Sequence, residues 1–296
     1  MTLFHENGQI KEKGMVKAGN AEGKFVYFTK YGTLNGEAEY EKGKQVGLAE
    51  YFFLDETTKY KVNFKENEID GMFNEYYSYG MVYAETTFKM GERNGVRKNY
   101  HKNGELSGEE IFVDDVANGP WKEFYDNGQV SAEGTMKDGK LFGTRTSYFI
   151  DGTVADVAEY NDNGKQLGTF KKYDYDGVLS YEFDYKNGEI RAYRYYDKTG
   201  KIIKEATKKS GALAFEGFWP DGTKKLKGSY SLGSSAREGD WTYFNKYGVV
   251  ETKSKHKEGA QNGLTKEYHN NGALHYEINY KDDEQNGYYK SYYVDG

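Results

Sequence analysis

Residues 119–143 read Gly119-Pro-Trp121-Lys-Glu-Phe124-Tyr125-Asp-Asn127-Gly128-Gln-Val130-Ser-Ala-Glu133-Gly134-Thr-Met136-Lys-Asp-Gly139-Lys-Leu-Phe-Gly143, and the spacing inside this stretch decides the fold. Asn127-Gly128 is a strong hairpin-turn signal, because a tight turn needs residues that tolerate φ > 0. After the turn the pattern has period two: Val130, then charged Glu133, small Gly134 and apolar Met136. Alternation of this kind is a half-buried strand. Gly139 and Gly143 supply a second set of turn positions.

The same grammar runs outward in both directions with a period of 24 residues. Turn glycines stand at Gly8, Gly32, Gly80, Gly104, Gly128, Gly152, Gly177, Gly200, Gly222, Gly248, Gly272 and Gly296, with Glu56 in the one missing slot. Four residues before these positions lies an aromatic column: Phe4, Phe28, Phe52, Tyr76, Tyr100, Phe124, Tyr148, Tyr173, Tyr196, Phe218, Phe244, Tyr268 and Tyr292. A second glycine follows eleven residues after many of the turns, as at Gly19, Gly43, Gly91, Gly211, Gly233 and Gly259. A fixed period in this range marks a repeat architecture in which each unit packs on its neighbours. The expectation is an all-β chain, a single elongated array over residues 1–296 of about twelve 24-residue β-hairpins. The hairpins form one twisted antiparallel meander sheet, each with a first strand of about nine residues and a second of about six. The array is irregular around 200–248, where the spacing becomes 22 and then 26 and a Ser231–Ala236 loop is inserted. Met1 falls inside a repeat and Gly296 should lead into another strand. Arrays need polar capping units, so the chain reads as an excerpt of a longer protein.

Composition narrows the function classes. Aromatic residues make up 17% of the chain, with 30 tyrosines, against an apolar fraction of only 36%. Such a chain covers a sheet with large rings that keep a polar tip wet. The net charge is −6 without a basic stripe, which argues against nucleic acid and against an anionic membrane surface. The absence of cysteine removes disulfides, thiolate metal sites and a cysteine nucleophile. The compartment reads as cytoplasmic as the chain stands, or exported or envelope-bound if a signal segment has been removed.

The stretches Asn127–Gly143 and Gly119–Gly128 resemble the MORN repeat, and more closely its bacterial variant. The resemblance covers essentially the whole chain and fades between Gly200 and Gly248. It implies a hairpin array; variant members are associated with antitoxin components of toxin–antitoxin modules, and other MORN arrays with scaffolding or membrane contact. Tyr173-Asp174-Tyr175-Asp176-Gly177 is also similar to the YD repeats of toxin-encasing shells. The Gly-aromatic pairs are similar to repeats that bind choline or glucan, though neither rival explains the triple glycine.

No nucleotide, zinc-protease or hydrolase motif is present, and no carboxylate pair stands out. His5, His101 and His269 share one repeat column and read as polar substitutions, and the tip Asp282-Asp283-Glu284 reads as a solvated turn. No catalytic residue, metal site or cofactor is expected. The candidate binding residues are Phe53, Phe73, Tyr77, Trp121, Tyr125 and Phe149, assigned by strand parity to the face opposite the main aromatic column. An exposed recognition stripe of this kind points to a protein partner; the alternative is that curvature buries both columns, giving each face its own packing role. A glycan is the alternative ligand, and free edge strands permit end-to-end self-association.

Overall fold

The computed structural model describes residues 1–208, 211–231 and 235–294. Gly233 and Gly296, both assigned to turns from the spacing, lie outside these residues, as does the middle of the Ser231–Ala236 insert. The described elements are antiparallel β-strands paired with their sequence neighbours. They fall into two compact units, Met1–Phe142 with Ile150–Gly152, and Gly143–Phe149 with Thr153–Gly296.

A repeat from the first unit shows the plan. Strand Leu34–Glu41 has eight residues, and strand Lys44–Phe52 has nine. The second strand is longer than the spacing predicts because Gly47 does not end it. Gly47 adopts φ 66° inside the strand and stays paired with Phe64. Between the strands Lys42 and Gly43 take φ 50° and 81°, the type I′ geometry that matches strand twist. The other connection, Thr29–Thr33, is closed by Thr29 N donating to Thr33 O and Gly32 N donating to Thr29 O, both at 2.9 Å.

The aromatic column four before each turn glycine closes each second strand at this wider turn. Phe28 faces Leu34, Tyr76 faces Val82, Phe124 faces Val130 and Tyr268 faces Leu274, each across a register shift. The conserved offset is therefore the end of a ladder with a bulge beside it.

Glu56 holds φ 64° where equivalent positions are glycine, a conformation that crowds a β-carbon. Glu56→Gly should raise stability by about 0.5–1 kcal/mol, because relief of that crowding outweighs the entropy glycine loses on folding. The gain is partly offset by the exposed Leu34 N to Glu56 Oε1 bond of 3.3 Å. A higher urea midpoint at unchanged m-value would report it.

In the first unit, alternation places Phe25, Ala38, Ala49 and Val62 on one face, all less than 4% exposed. Tyr40, Tyr51, Tyr60 and Phe73 pack against Ala38, Ala49 and Val62; Tyr40 meets Phe25 at 5.0 Å, and Tyr51, Tyr60, Phe73 and Phe88 follow one another at 4.8, 5.7 and 6.0 Å, tilted or edge-on. The opposite face carries a row of registered charges, Glu50↔Lys61, Lys98↔Glu109 and Lys122↔Glu133. These pairs are half-exposed and each contributes little to stability.

The second unit departs from the single sheet expected. Pairing stops after strand Ile202–Thr207 and resumes in a separate sheet at Leu213–Phe218. The physical reason lies in Leu213 and Phe215, which are 3% and 4% exposed. Phe215 packs on Phe183, Tyr193 and Tyr195 at 5.7, 4.9 and 6.2 Å. The Glu216 N–H donates to the Tyr193 hydroxyl at 3.0 Å. Strand Leu213–Phe218 thus stacks on the aromatic face of its predecessors, and ring burial replaces one ladder. Trp241, 1% exposed, completes this core.

Candidate functional site

The wide turns are stitched from one repeat to the next, and this settles where the turn side chains go. His5 Nε2 and His101 Nε2 lie 2.9 Å from Phe28 O and Phe124 O, and His269 Nε2 lies 3.3 Å from Tyr292 O. The Tyr77 hydroxyl donates to Tyr100 O at 3.0 Å from the same repeat position. One rung outward, Asn7 Nδ2 donates to Lys30 O at 2.7 Å, Asn103 Nδ2 to Asp126 O at 2.8 Å, and the Tyr79 hydroxyl to Lys102 O at 3.1 Å. Histidine, asparagine and tyrosine recur here because each can donate a polar hydrogen across to a backbone carbonyl. The His269 and His275 rings meet at 4.3 Å.

The six candidate binding residues divide between two places. Phe53, Tyr77, Tyr125 and Phe149 sit in the wide turns, because the strands end one residue earlier at Phe52, Tyr76, Phe124 and Tyr148. All four are half-buried. Phe149 stacks on Tyr175 at 4.0 Å, and Tyr77 stacks on Tyr79 at 5.1 Å. Phe73 and Trp121 lie on strands, registered against Thr86 and Gly134 on the aromatic face. Trp121 packs where a β-carbon on Gly134 would come within 3.1 Å of its ring. Its indole Nε1 is buried without a hydrogen-bond partner.

Exposure falls elsewhere. In the first unit Leu48, Met72 and Val96 occupy one position in three successive repeats, directly after Gly47, Gly71 and Gly95, and are 55%, 40% and 43% exposed. Their cross-strand partners are Asn63, Thr87 and Ile111. Strand parity puts them on the same face as the charged row of Glu50, Lys98 and Lys122. At two strands per repeat and about 4.8 Å per strand, the three anchors span about 19 Å. At the far end a hollow of about 200 Å³ is lined by Val96, Ile111, Pro120, Trp121 and Lys122. Trp121 borders the hollow from its strand, but strand parity and its packing on Gly134 put its ring on the opposite, aromatic face. Leu48, Met72 and Val96 have no signature in the repeat pattern, since the same position holds Lys24 and Pro120 in other units.

A second exposed set lies at the wide-turn tips: Tyr31, Tyr79 and Tyr247 are 70%, 53% and 78% exposed. Burial, then the Glu85 carboxylate accepting its hydroxyl at 2.7 Å, pushes Tyr100 up to about 12. Burial raises Asp156, but Ser147, Lys172 and Arg145 outweigh it and hold the carboxyl below its ordinary value. Among the described residues no group of three or more His, Cys, Asp or Glu side chains is placed to hold a metal.

Five segments, residues 1–18, 93–114, 117–138, 166–187 and 261–282, match the family described as the MORN repeat variant. Segments 93–114, 166–187 and 261–282 each take in one wide turn with its flanking strands. No curated protein matches the chain. Among solved structures, the TcdB2–TccC3–Cdc42 complex is similar over 95% of this chain at 10% identity and a TM-score of 0.19. The Photorhabdus luminescens Tc holotoxin pore is similar over 93% at 9% identity and a TM-score of 0.17. The chain spans 17% and 18% of those two chains. A porin-like protein from Bacteroides uniformis is similar over 90% of this chain and 87% of its own, at 11% identity and a TM-score of 0.15.

Proposed function

We infer that the chain is a non-catalytic repeat scaffold that binds another protein through the outer face of its first unit. The observation that carries this reading is the row Leu48, Met72 and Val96, exposed in register beside alternating charges and leading to the hollow between Val96 and Pro120. An apolar stripe with a polar rim is the composition of a recognition surface, and a repeat array adds weak anchors at fixed spacing. The resemblance to the MORN variant names a toxin protein as the first partner class to test.

The triple variant Leu48→Asp/Met72→Asp/Val96→Asp should fold as the parent does, since all three side chains already face water. Affinity capture from native lysate with both proteins should then return a protein held by the parent and lost by the variant. Equal capture by the two, with matching circular dichroism, would remove this surface from the reading. The exposed turn tyrosines favour a second reading, carbohydrate binding by ring stacking, as in an envelope adhesin. A glycan array with the parent and a Tyr31→Ala/Tyr79→Ala variant separates the two: a glycan retained only by the parent supports the second reading.

A further inference from the structure

The interruption of pairing in the second unit leaves two strand edges free among the described residues. Among the described residues, Ile202–Thr207 pairs on one side only, with the strand Glu189–Tyr196. Leu213–Phe218 likewise pairs on one side only, with Lys224–Tyr230. A groove of about 580 Å³ opens beside this break. Three consecutive residues of the first edge, Lys204, Glu205 and Ala206, line it, together with Ala214, Glu216 and Ser229 of the second sheet. Ala206, Ala214 and Ser229 are small, so backbone can approach closely. The two edges are not equivalent, because the Glu216 N–H of the second is already taken by Tyr193.

The charges discriminate further. Glu216 is compensated twice, by Lys204 at 2.7 Å and by Lys224. Glu205 is exposed, and the side chain registered opposite it, Arg194, is engaged by Glu182 and Asp184 at 3.2 and 2.9 Å. Across the groove the second sheet presents one further ammonium and one further carboxylate, Lys227 and Asp240, and on the edge itself Glu205 is the charge with no ion-pair partner among the described residues.

We propose that the free edge of Ile202–Thr207 is a strand-addition site for an extended, basic peptide segment of a partner protein. The segment lies in the groove, pairs by main-chain hydrogen bonds and sets a Lys or Arg opposite Glu205. Strand addition takes its affinity from the main chain and its selectivity from alternate side chains; the free edge supplies the first and Glu205 the second. The site belongs to the second unit and uses none of the stripe residues, so it stands or falls independently of the proposed function.

The test uses the full chain and three fluorescein-labelled eight-residue peptides in fluorescence anisotropy: one alternating Lys and Thr, the same peptide N-methylated at alternate residues, and one alternating Glu and Thr. The Lys peptide should bind, and both the N-methylated and Glu peptides should bind at least about tenfold more weakly. Glu205→Lys, an exposed change, should reverse the preference between the Lys and Glu peptides. Amide exchange across residues 202–207 should slow with the Lys peptide bound. No binding of the Lys peptide overturns the proposal, as does equal binding of its N-methylated form, which would mean charge attraction without strand pairing.

Discussion

Trp241→Ala should cost the second unit about 3–5 kcal/mol, the range for emptying a fully buried large ring. Trp241 is 1% exposed and contacts Phe215, Tyr230 and Tyr243 at 6.1, 5.2 and 6.3 Å. Its Nε1 makes no hydrogen bond, so the loss is packing and apolar burial rather than a broken polar network. That size is a large share of the stability of an ordinary domain. Urea unfolding followed by near-ultraviolet circular dichroism would measure it, and a cost under about 1 kcal/mol would mean the ring is not seated as described.

The same ring makes a sharper prediction at Gly228. A β-carbon built there would lie 2.2 Å from Trp241 Cδ2, so the glycine is required by close approach, not by its backbone angle. Gly228→Ala should cost about 1–3 kcal/mol through overpacking. In a Trp241→Leu background the added methyl meets a smaller side chain, so most of that cost should vanish. Contacting residues show such non-additivity. Equal costs in the two backgrounds would place the strain elsewhere.

These residues show what could and could not be read from the sequence. Turn positions, strand alternation and the aromatic column were legible because each is a local requirement repeated at a fixed offset; even Glu56 keeps the φ of the glycine it replaces. The sheet break was not legible. Leu213 and Phe215 obey the same alternation as any strand, and only their choice of ring burial over ladder pairing separates the sheets. The irregular spacing between Gly200 and Gly248 was the available signal, and it marks the site of the largest aromatic core. The placement of Phe53, Tyr77, Tyr125 and Phe149 turned on one residue, since parity has no meaning past the strand end. Leu48, Met72 and Val96 were hidden for the opposite reason: their offset varies freely between repeats, as exposed positions do.

Alkaline pH should unfold the second unit steeply, beginning near pH 10. Its core holds Tyr181, Tyr185, Tyr193, Tyr195, Tyr230 and Tyr243. Burial, the largest cause in every case, raises all six, with Tyr185 pushed up to about 12. The neutral phenol is the form the fold prefers. A folded-state value raised above the unfolded value of about 10 gives stability that is fully present below pH 10 and is lost as pH climbs toward the folded value. Each such tyrosine removes up to about 1.4 kcal/mol per pH unit within that window. Several acting together exhaust an ordinary stability within about two units. Absorbance at 295 nm should therefore show these phenols ionising together with the loss of near-ultraviolet circular dichroism. Tyr195→Phe, which keeps the ring and removes the proton, should shift the alkaline midpoint upward while changing little at pH 7. If these phenols ionise with the tertiary signal intact, water reaches the cluster and the core is looser than its 9% exposure at Tyr195 implies.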